Sequence, residues 1–100
     1  MYQVKIKLKA FYSVGESLDV EGIVEIDTNA RTIRGVIIEL AEQYGKKFRN
    51  EILLSNGIEI KPGLGILVNG KDYRNMKDRL DSPISHKDIL AIFPPIHNRS

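Results

Sequence analysis

Few residues in this chain of 100 amino acids could catalyse a reaction or bind a metal, and they are widely spaced. There is no cysteine, which excludes disulfides, thiolate nucleophiles and iron–sulfur clusters. His86 and His97 are the two histidines, and neither has a ligand or nucleophile at a suitable spacing, so we expect both to be solvated. Asp78, Asp81 and Asp88 stand in turn-like sequence and are expected to be caps and turn residues. We therefore predict no catalytic residue, no metal site and no cofactor.

A row of lysines is the clearest surface feature near the start of the chain. Over residues 2–10, apolar residues at even positions alternate with polar ones, which predicts a strand with one buried face and one open face. The open face carries Lys5, Lys7 and Lys9. The net charge of +2 is too small to indicate nucleic-acid binding by itself.

The elements that must position these residues follow from the hydrophobic periodicity. Residues 13–17 supply turn chemistry, and residues 23–27 read as a second strand that forms a hairpin with the first. From Thr32 the period becomes helical, with Thr32 as the N-terminal cap and Gly45 as the residue that closes the helix. Residues 46–61 are irregular, with one short helical turn.

The C-terminal half predicts three further strands. Residues 64–68 alternate, and Asn69-Gly70 forms a two-residue hairpin turn that leads to a short strand near Tyr73. After a polar loop, residues 89–93 have apolar side chains at both parities, as in a central strand. This order predicts an α+β, ubiquitin-like β-grasp: a mixed sheet of about four to five strands, its first and last strands adjacent, with one main helix packed on one face. We expect one domain over residues 1–96 and a flexible tail over residues 97–100.

Three segments resemble a known family. They are the helix start Thr32-Ile33, the sequence Gly-Ile-Leu-Val-Asn-Gly-Lys at residues 65–71, and Asp-Ile-Leu-Ala-Ile-Phe-Pro-Pro-Ile at residues 88–96. Together they resemble the small subunit of molybdopterin synthase and, more distantly, the thiamine-pathway sulfur carrier and ubiquitin-related modifiers. The resemblance implies a role in molybdenum or tungsten cofactor biosynthesis and a protein partner that is large-subunit-like or activating-enzyme-like.

The resemblance also implies a docking surface, because Phe93 occupies the position of the aromatic residue through which the family binds its large partner. Ile89 and Ala91 share its parity and should lie beside the lysines. Lys9 replaces what is often an apolar or aromatic residue in the family, so we expect a more acidic partner. Tyr2 and Phe93 are taken as the only aromatic residues near this face. The expected docking residues are Phe93, Ala91, Lys5, Lys7 and Lys9.

The tail departs from the family pattern. In the family it ends in Gly-Gly, enters a partner's active site, is adenylated on its carboxylate and becomes a sulfur-donating thiocarboxylate. Here Asn98 and Arg99 align with the two glycines, no Gly-Gly pair occurs anywhere, and the last glycine is Gly70. We therefore expect a tail that inserts without the standard sulfur chemistry. Its residues are Ile96, His97, Asn98, Arg99 and Ser100.

Two alternatives to this non-catalytic binding role stay open. One is a true sulfur carrier or protein modifier with an unusual tail. The other is a nucleic-acid-binding β-grasp module, disfavoured by the scarcity of aromatic residues on the lysine face, with these cations on phosphates: Lys5, Lys7, Lys9, Lys46, Lys47 and Arg49. No apolar run is long enough to span a bilayer and no export signal is evident, so we expect a soluble, cytoplasmic protein that does not bind membranes.

Overall fold

A five-stranded mixed sheet is the centre of the computed structural model, which describes residues 3–18, 23–56 and 59–95. The strand order is β2-β1-β5-β3-β4, with β1 parallel to β5 and every other neighbouring pair antiparallel. This topology confirms the predicted β-grasp with its first and last strands side by side. The elements are β1 (Val4–Ala10), α1 (Tyr12–Leu18), β2 (Ile23–Thr28), α2 (Ile33–Tyr44), α3 (Lys46–Ile52), β3 (Gly65–Val68), β4 (Lys71–Asp72) and β5 (Ile89–Phe93), with 3₁₀ turns at Tyr73–Asn75 and Arg79–Asp81.

The core lies between the sheet and the helices. Val4, Ile6 and Leu8 of β1 are buried, and so are Leu90 and Ile92 of β5, which lies between β1 and β3. Helix α2 begins as predicted, because the Thr32 Oγ1 accepts a hydrogen bond of 3.1 Å from the Gly35 N–H. It ends at Gly45, whose φ of 93° favours glycine. The buried stripe of α2 consists of Ile33, Val36, Ile37, Leu40 and Ala41.

The predicted turn at residues 13–17 is wrong, because these residues belong to helix α1. The Phe11 carbonyl accepts hydrogen bonds from the N–H groups of Val14 and Gly15, and the Val14 side chain is fully buried. At Gly15 the helix passes so close to β1 that an added Cβ would lie 2.7 Å from the Ala10 carbonyl oxygen. Gly15 is therefore a site of close helix–strand packing, which sequence reasoning read as turn chemistry.

The β3–β4 hairpin turns at Asn69 and Gly70, which both have positive φ as the predicted two-residue turn requires. Strand β4 ends at Asp72. The predicted short strand is therefore present but does not include Tyr73, which begins a 3₁₀ turn. The change of direction has a local cause, since the Asp72 Oδ1 accepts a hydrogen bond of 2.8 Å from the Arg74 N–H and caps the new turn.

Asn69 also fixes the hairpin to the start of β5. Its side-chain amide donates to the Asp88 Oδ1 at 2.9 Å, and its Oδ1 accepts from the Ile89 N–H at 2.9 Å. The other Asp88 oxygen accepts from the Ser85 N–H at 2.7 Å, which confirms that Asp88 is a turn residue. Within the part of the chain that the structure describes, no helix is long and apolar enough to cross a membrane.

Candidate docking surface

The predicted docking residues lie on one face of the sheet, opposite the helices, which we call the outer face. In the parallel β1–β5 ladder, Lys7 pairs with Ile89 and Lys9 pairs with Ala91. Since paired residues point to the same side of a sheet, the three lysines of β1 share a face with Ala91 and Phe93. Their placement agrees with the sequence analysis. Their role in binding remains a prediction.

Ala91 lies beneath this surface and contributes little exposed area to it. It pairs with Lys9 on one side and with Leu67 on the other, and these neighbours leave it only 9% exposed. The longer side chains around Ala91 therefore cover most of its methyl group.

Phe93 is part of an aromatic pair that the sequence analysis missed. The rings of Phe11 and Phe93 are stacked, with centroids 4.4 Å apart and planes inclined by 6°. Both rings are half-buried. The Phe11 N–H donates to the Ile92 carbonyl at 3.0 Å, which extends the β1–β5 pairing one residue beyond Ala10. On its other side Phe93 lies opposite Gly65, where an added Cβ would be 3.2 Å from the Phe93 Cβ. Gly65 therefore leaves room for the Phe93 side chain, and the stack on Phe11 holds the ring in place.

The expectation that Tyr2 and Phe93 are the only aromatic residues near this face is therefore wrong. Phe11 follows Lys9 by two positions, so the same alternation that placed the lysines would have placed it on the outer face. It was missed because the predicted strand ended at Ala10. Tyr2 lies outside the described residues.

The lysines of the outer face differ in how far their charge is neutralised. The Lys5 Nζ lies 3.6 Å from a carboxylate oxygen of Asp27 and 3.9 Å from one of Glu25, both on β2. Lys7 and Lys9 form no ion pair with any residue in the described ranges 3–18, 23–56 and 59–95. Lys7 still has Glu25 opposite it on β2, whereas Lys9 has Ile23. Lys9, the lysine nearest the aromatic pair in sequence, is therefore the one without a carboxylate opposite it on β2.

A loop before β5 completes one edge of this surface. His86 is exposed, as expected, but its Nδ1 accepts a hydrogen bond of 3.1 Å from the Lys5 N–H. The Lys87 N–H donates to the Lys5 carbonyl at 2.6 Å, and the Lys7 N–H donates to the Asp88 carbonyl at 2.9 Å. The His86 side chain thus takes the place of a strand carbonyl and continues the ladder toward the start of β1.

The structure does not place all six cations of the nucleic-acid alternative on one surface. Lys46, Lys47 and Arg49 are exposed on α3, whose Phe48 and Ile52 are buried in the core between helices and sheet. These three residues therefore belong to the helical layer. The lysines of β1 point away from that layer.

Two arginines outside the outer face form ion pairs with aspartates. Arg34 Nε lies 3.0 Å from an oxygen of Asp81, and Arg74 Nη2 lies 2.8 Å from an oxygen of Asp72. The side-chain hydrogen bond from Arg74, with help from its backbone N–H, lowers the pKa of Asp72 below its ordinary value. Asp78 precedes the second 3₁₀ turn without a side-chain capping bond.

Among the residues described, no group of three or more aspartate, glutamate or histidine side chains is placed to hold a metal ion. The tail residues 96–100, including His97, lie outside the described residues.

The sheet order and the helix across one face define a ubiquitin-like β-grasp protein. A sequence profile described as the ThiS family matches residues 14–97. The chain belongs to this family of ubiquitin-like sulfur carriers. A search of curated proteins found no match.

Solved structures with the same fold are similar over nearly their whole length. The small archaeal modifier protein 1 of Methanosarcina acetivorans is 16% identical, with 99% of this chain and 100% of that chain covered and a TM-score of 0.79. Its namesake from Haloferax volcanii is 20% identical, with coverage of 95% and 99% and a TM-score of 0.75. A Pyrococcus furiosus protein described as molybdopterin converting factor, subunit 1, is 24% identical, with coverage of 93% and 99% and a TM-score of 0.66. At these identities the likeness shows the fold alone.

Proposed function

We propose that this protein is a non-catalytic binding subunit whose outer face docks on a larger protein partner, either large-subunit-like or activating-enzyme-like. The observation that carries the proposal is the Phe11–Phe93 stack, half-buried on the outer face that also carries Lys7 and Lys9, which form no ion pair with the described residues. Rigid aromatic residues supply much of the free energy of protein–protein binding because they bury a large area at a low cost in conformational entropy. The stack holds Phe93 in one orientation before the partner arrives.

The surrounding charge indicates the character of the partner. Lys7 and Lys9 favour acidic surfaces, and their long-range attraction raises the rate of association more than the final affinity. We therefore propose a partner surface that has an apolar centre and an excess of carboxylates around it.

For the pathway, we propose molybdenum or tungsten cofactor biosynthesis without the standard thiocarboxylate. The support comes from the segments at residues 65–71 and 88–96, and from the shared fold with the Pyrococcus furiosus protein described as molybdopterin converting factor, subunit 1. The sequence contains no Gly-Gly pair. A tail that enters a narrow channel in a partner's active site requires glycine, because glycine has no Cβ. After incubation with an activating enzyme, ATP and a sulfur donor, intact mass spectrometry should show no oxygen-to-sulfur exchange. An exchange would instead establish a sulfur carrier with an unusual tail.

Affinity capture from a lysate of the source organism tests the docking face. The bait proteins are the wild type, Phe93→Ala, and the matched control Tyr73→Ala, which removes a half-buried aromatic side chain packed against the core at the far edge of the sheet. We expect one dedicated protein to be captured by the wild type and by Tyr73→Ala, and to be lost with Phe93→Ala. Circular dichroism verifies that each bait is folded. Full capture by folded Phe93→Ala would exclude the proposed face.

A further inference from the structure

The outer face ends toward β2 in a shallow groove, the Lys9 groove, which is lined by Lys9, Ala10, Phe11 and Ile23. Two of these side chains give it an apolar character. Ile23 is 53% exposed, although branched aliphatic side chains are usually buried. The Phe11 ring is held by its stack on Phe93. The groove therefore has one fixed aromatic side and one exposed aliphatic side.

Lys9 gives the same groove a charge that the described residues do not neutralise. Its neighbours in the two ladders are Ile23 on β2 and Ala91 on β5, both apolar, whereas Lys5 faces two carboxylates. Lys9 is half-buried, and a lysine in such a position commonly packs its methylene stem along the surface and keeps its ammonium group in water. A carboxylate that reaches this ammonium beside apolar groups interacts more strongly than it would in open solvent.

We infer that the Lys9 groove selects the partner by taking an apolar side chain with a carboxylate next to it. This inference rests on the proposed docking function and specifies the partner's chemistry at one point. A group that is only apolar or only acidic would fit the Lys9 groove less well. A purely apolar group would cover Ile23 and Phe11 but leave the Lys9 ammonium desolvated without a partner, and a purely acidic group would leave the exposed apolar area in water.

The structure favours a protein segment over a nucleic acid as the occupant. One face of the Phe11 ring is already covered by Phe93, and exposed Ile23 offers a base no aromatic plane for stacking. The side chains therefore match an aliphatic or phenyl group with an acid beside it.

Small-molecule probes test this chemistry without a known partner. The ¹⁵N-labelled full-length chain is titrated at low salt with 3-phenylpropionate, with the neutral 3-phenylpropionamide, and with acetate, while amide chemical shifts are recorded. We expect 3-phenylpropionate to shift the amides of Lys9, Ala10, Phe11 and Ile23 with a Kd on the order of millimolar. The neutral amide should bind about fivefold more weakly, and acetate more weakly still.

Variants separate the two halves of the groove. Lys9→Gln should remove the preference for the acid over the amide, and Ile23→Ser should weaken both phenyl compounds. Lys46→Gln on α3 is the matched control and should bind like the wild type. The amide spectrum of each variant shows directly whether it is folded.

Three results would overturn the inference: equal affinity for the acid and the amide, shifts that map elsewhere on the sheet, or no saturable shift. These results would not contradict the docking proposal if Phe93→Ala still abolishes capture of the partner protein. Conversely, selective binding of 3-phenylpropionate combined with full capture by Phe93→Ala would support the groove and refute the wider docking face.

Discussion

Replacing Gly15 by alanine sets two effects of opposite sign against each other. Alanine is the better helix former, and inside a helix the change from glycine ordinarily stabilises a protein by about 1 kcal/mol. In α1, however, the new Cβ would lie 2.7 Å from the Ala10 carbonyl oxygen and 3.2 Å from its carbonyl carbon. These are backbone atoms of a central strand, which cannot rotate away as a side chain can.

The clash should win. Forcing extra atoms into a packed region typically costs about 1–3 kcal/mol. Subtracting the gain of about 1 kcal/mol in helix propensity leaves a net destabilisation of up to about 2 kcal/mol. Urea denaturation followed by circular dichroism measures the free energy of unfolding. Glu16→Ala, an exposed change in the same helix, is the control and should stay within about 0.5 kcal/mol of the wild type. A Gly15→Ala protein that is more stable than the wild type would refute the close packing of α1 on β1.

Three further predictions concern the surface and its support. In a double-mutant cycle, Phe11→Ala and Phe93→Ala should show a coupling free energy of about 1 kcal/mol in urea denaturation, and additivity would contradict the stack. Asp72→Asn should remove a pH-dependent contribution to stability. Because the bonds from Arg74 lower the folded-state pKa of Asp72, that contribution is present above about pH 4 and is lost as the pH falls through the lowered pKa, so the wild-type and variant melting curves should converge in acid. Asn69→Ala removes two hydrogen bonds to the start of β5 and puts alanine at a φ of 54°, so it should cost about 1–3 kcal/mol, whereas Asn69→Gly should recover part of that loss.

The sheet and the main helix could be predicted because their signals are local and periodic. The alternation in β1 and the three-and-four spacing in α2 each identify a buried face without reference to the rest of the chain. Strand β5 has apolar residues at both parities, which predicts a central strand, and the structure places it between β1 and β3.

What was missed depends on tertiary contacts. The serine and glycine residues of α1 resemble turn residues until one knows that Gly15 lies against β1. Phe11 could have been placed by parity, but its stacking on Phe93 requires the register of the parallel β1–β5 pair, which no local pattern encodes. The neutralisation of Lys5 and not of Lys9 follows from the β1–β2 register in the same way.

The docking proposal is tested most directly by the affinity of the captured partner for the wild type, Phe93→Ala, Phe11→Ala and Tyr73→Ala, measured by isothermal titration calorimetry on folded proteins. A stacked aromatic at the centre of an interface is worth about 2 kcal/mol or more on truncation, so we expect the Kd of Phe93→Ala to rise by roughly 30-fold or more. Phe11→Ala should weaken binding in the same direction, and Tyr73→Ala should bind like the wild type. Unchanged affinity of Phe93→Ala would contradict the proposal that the outer face is where this protein binds its partner.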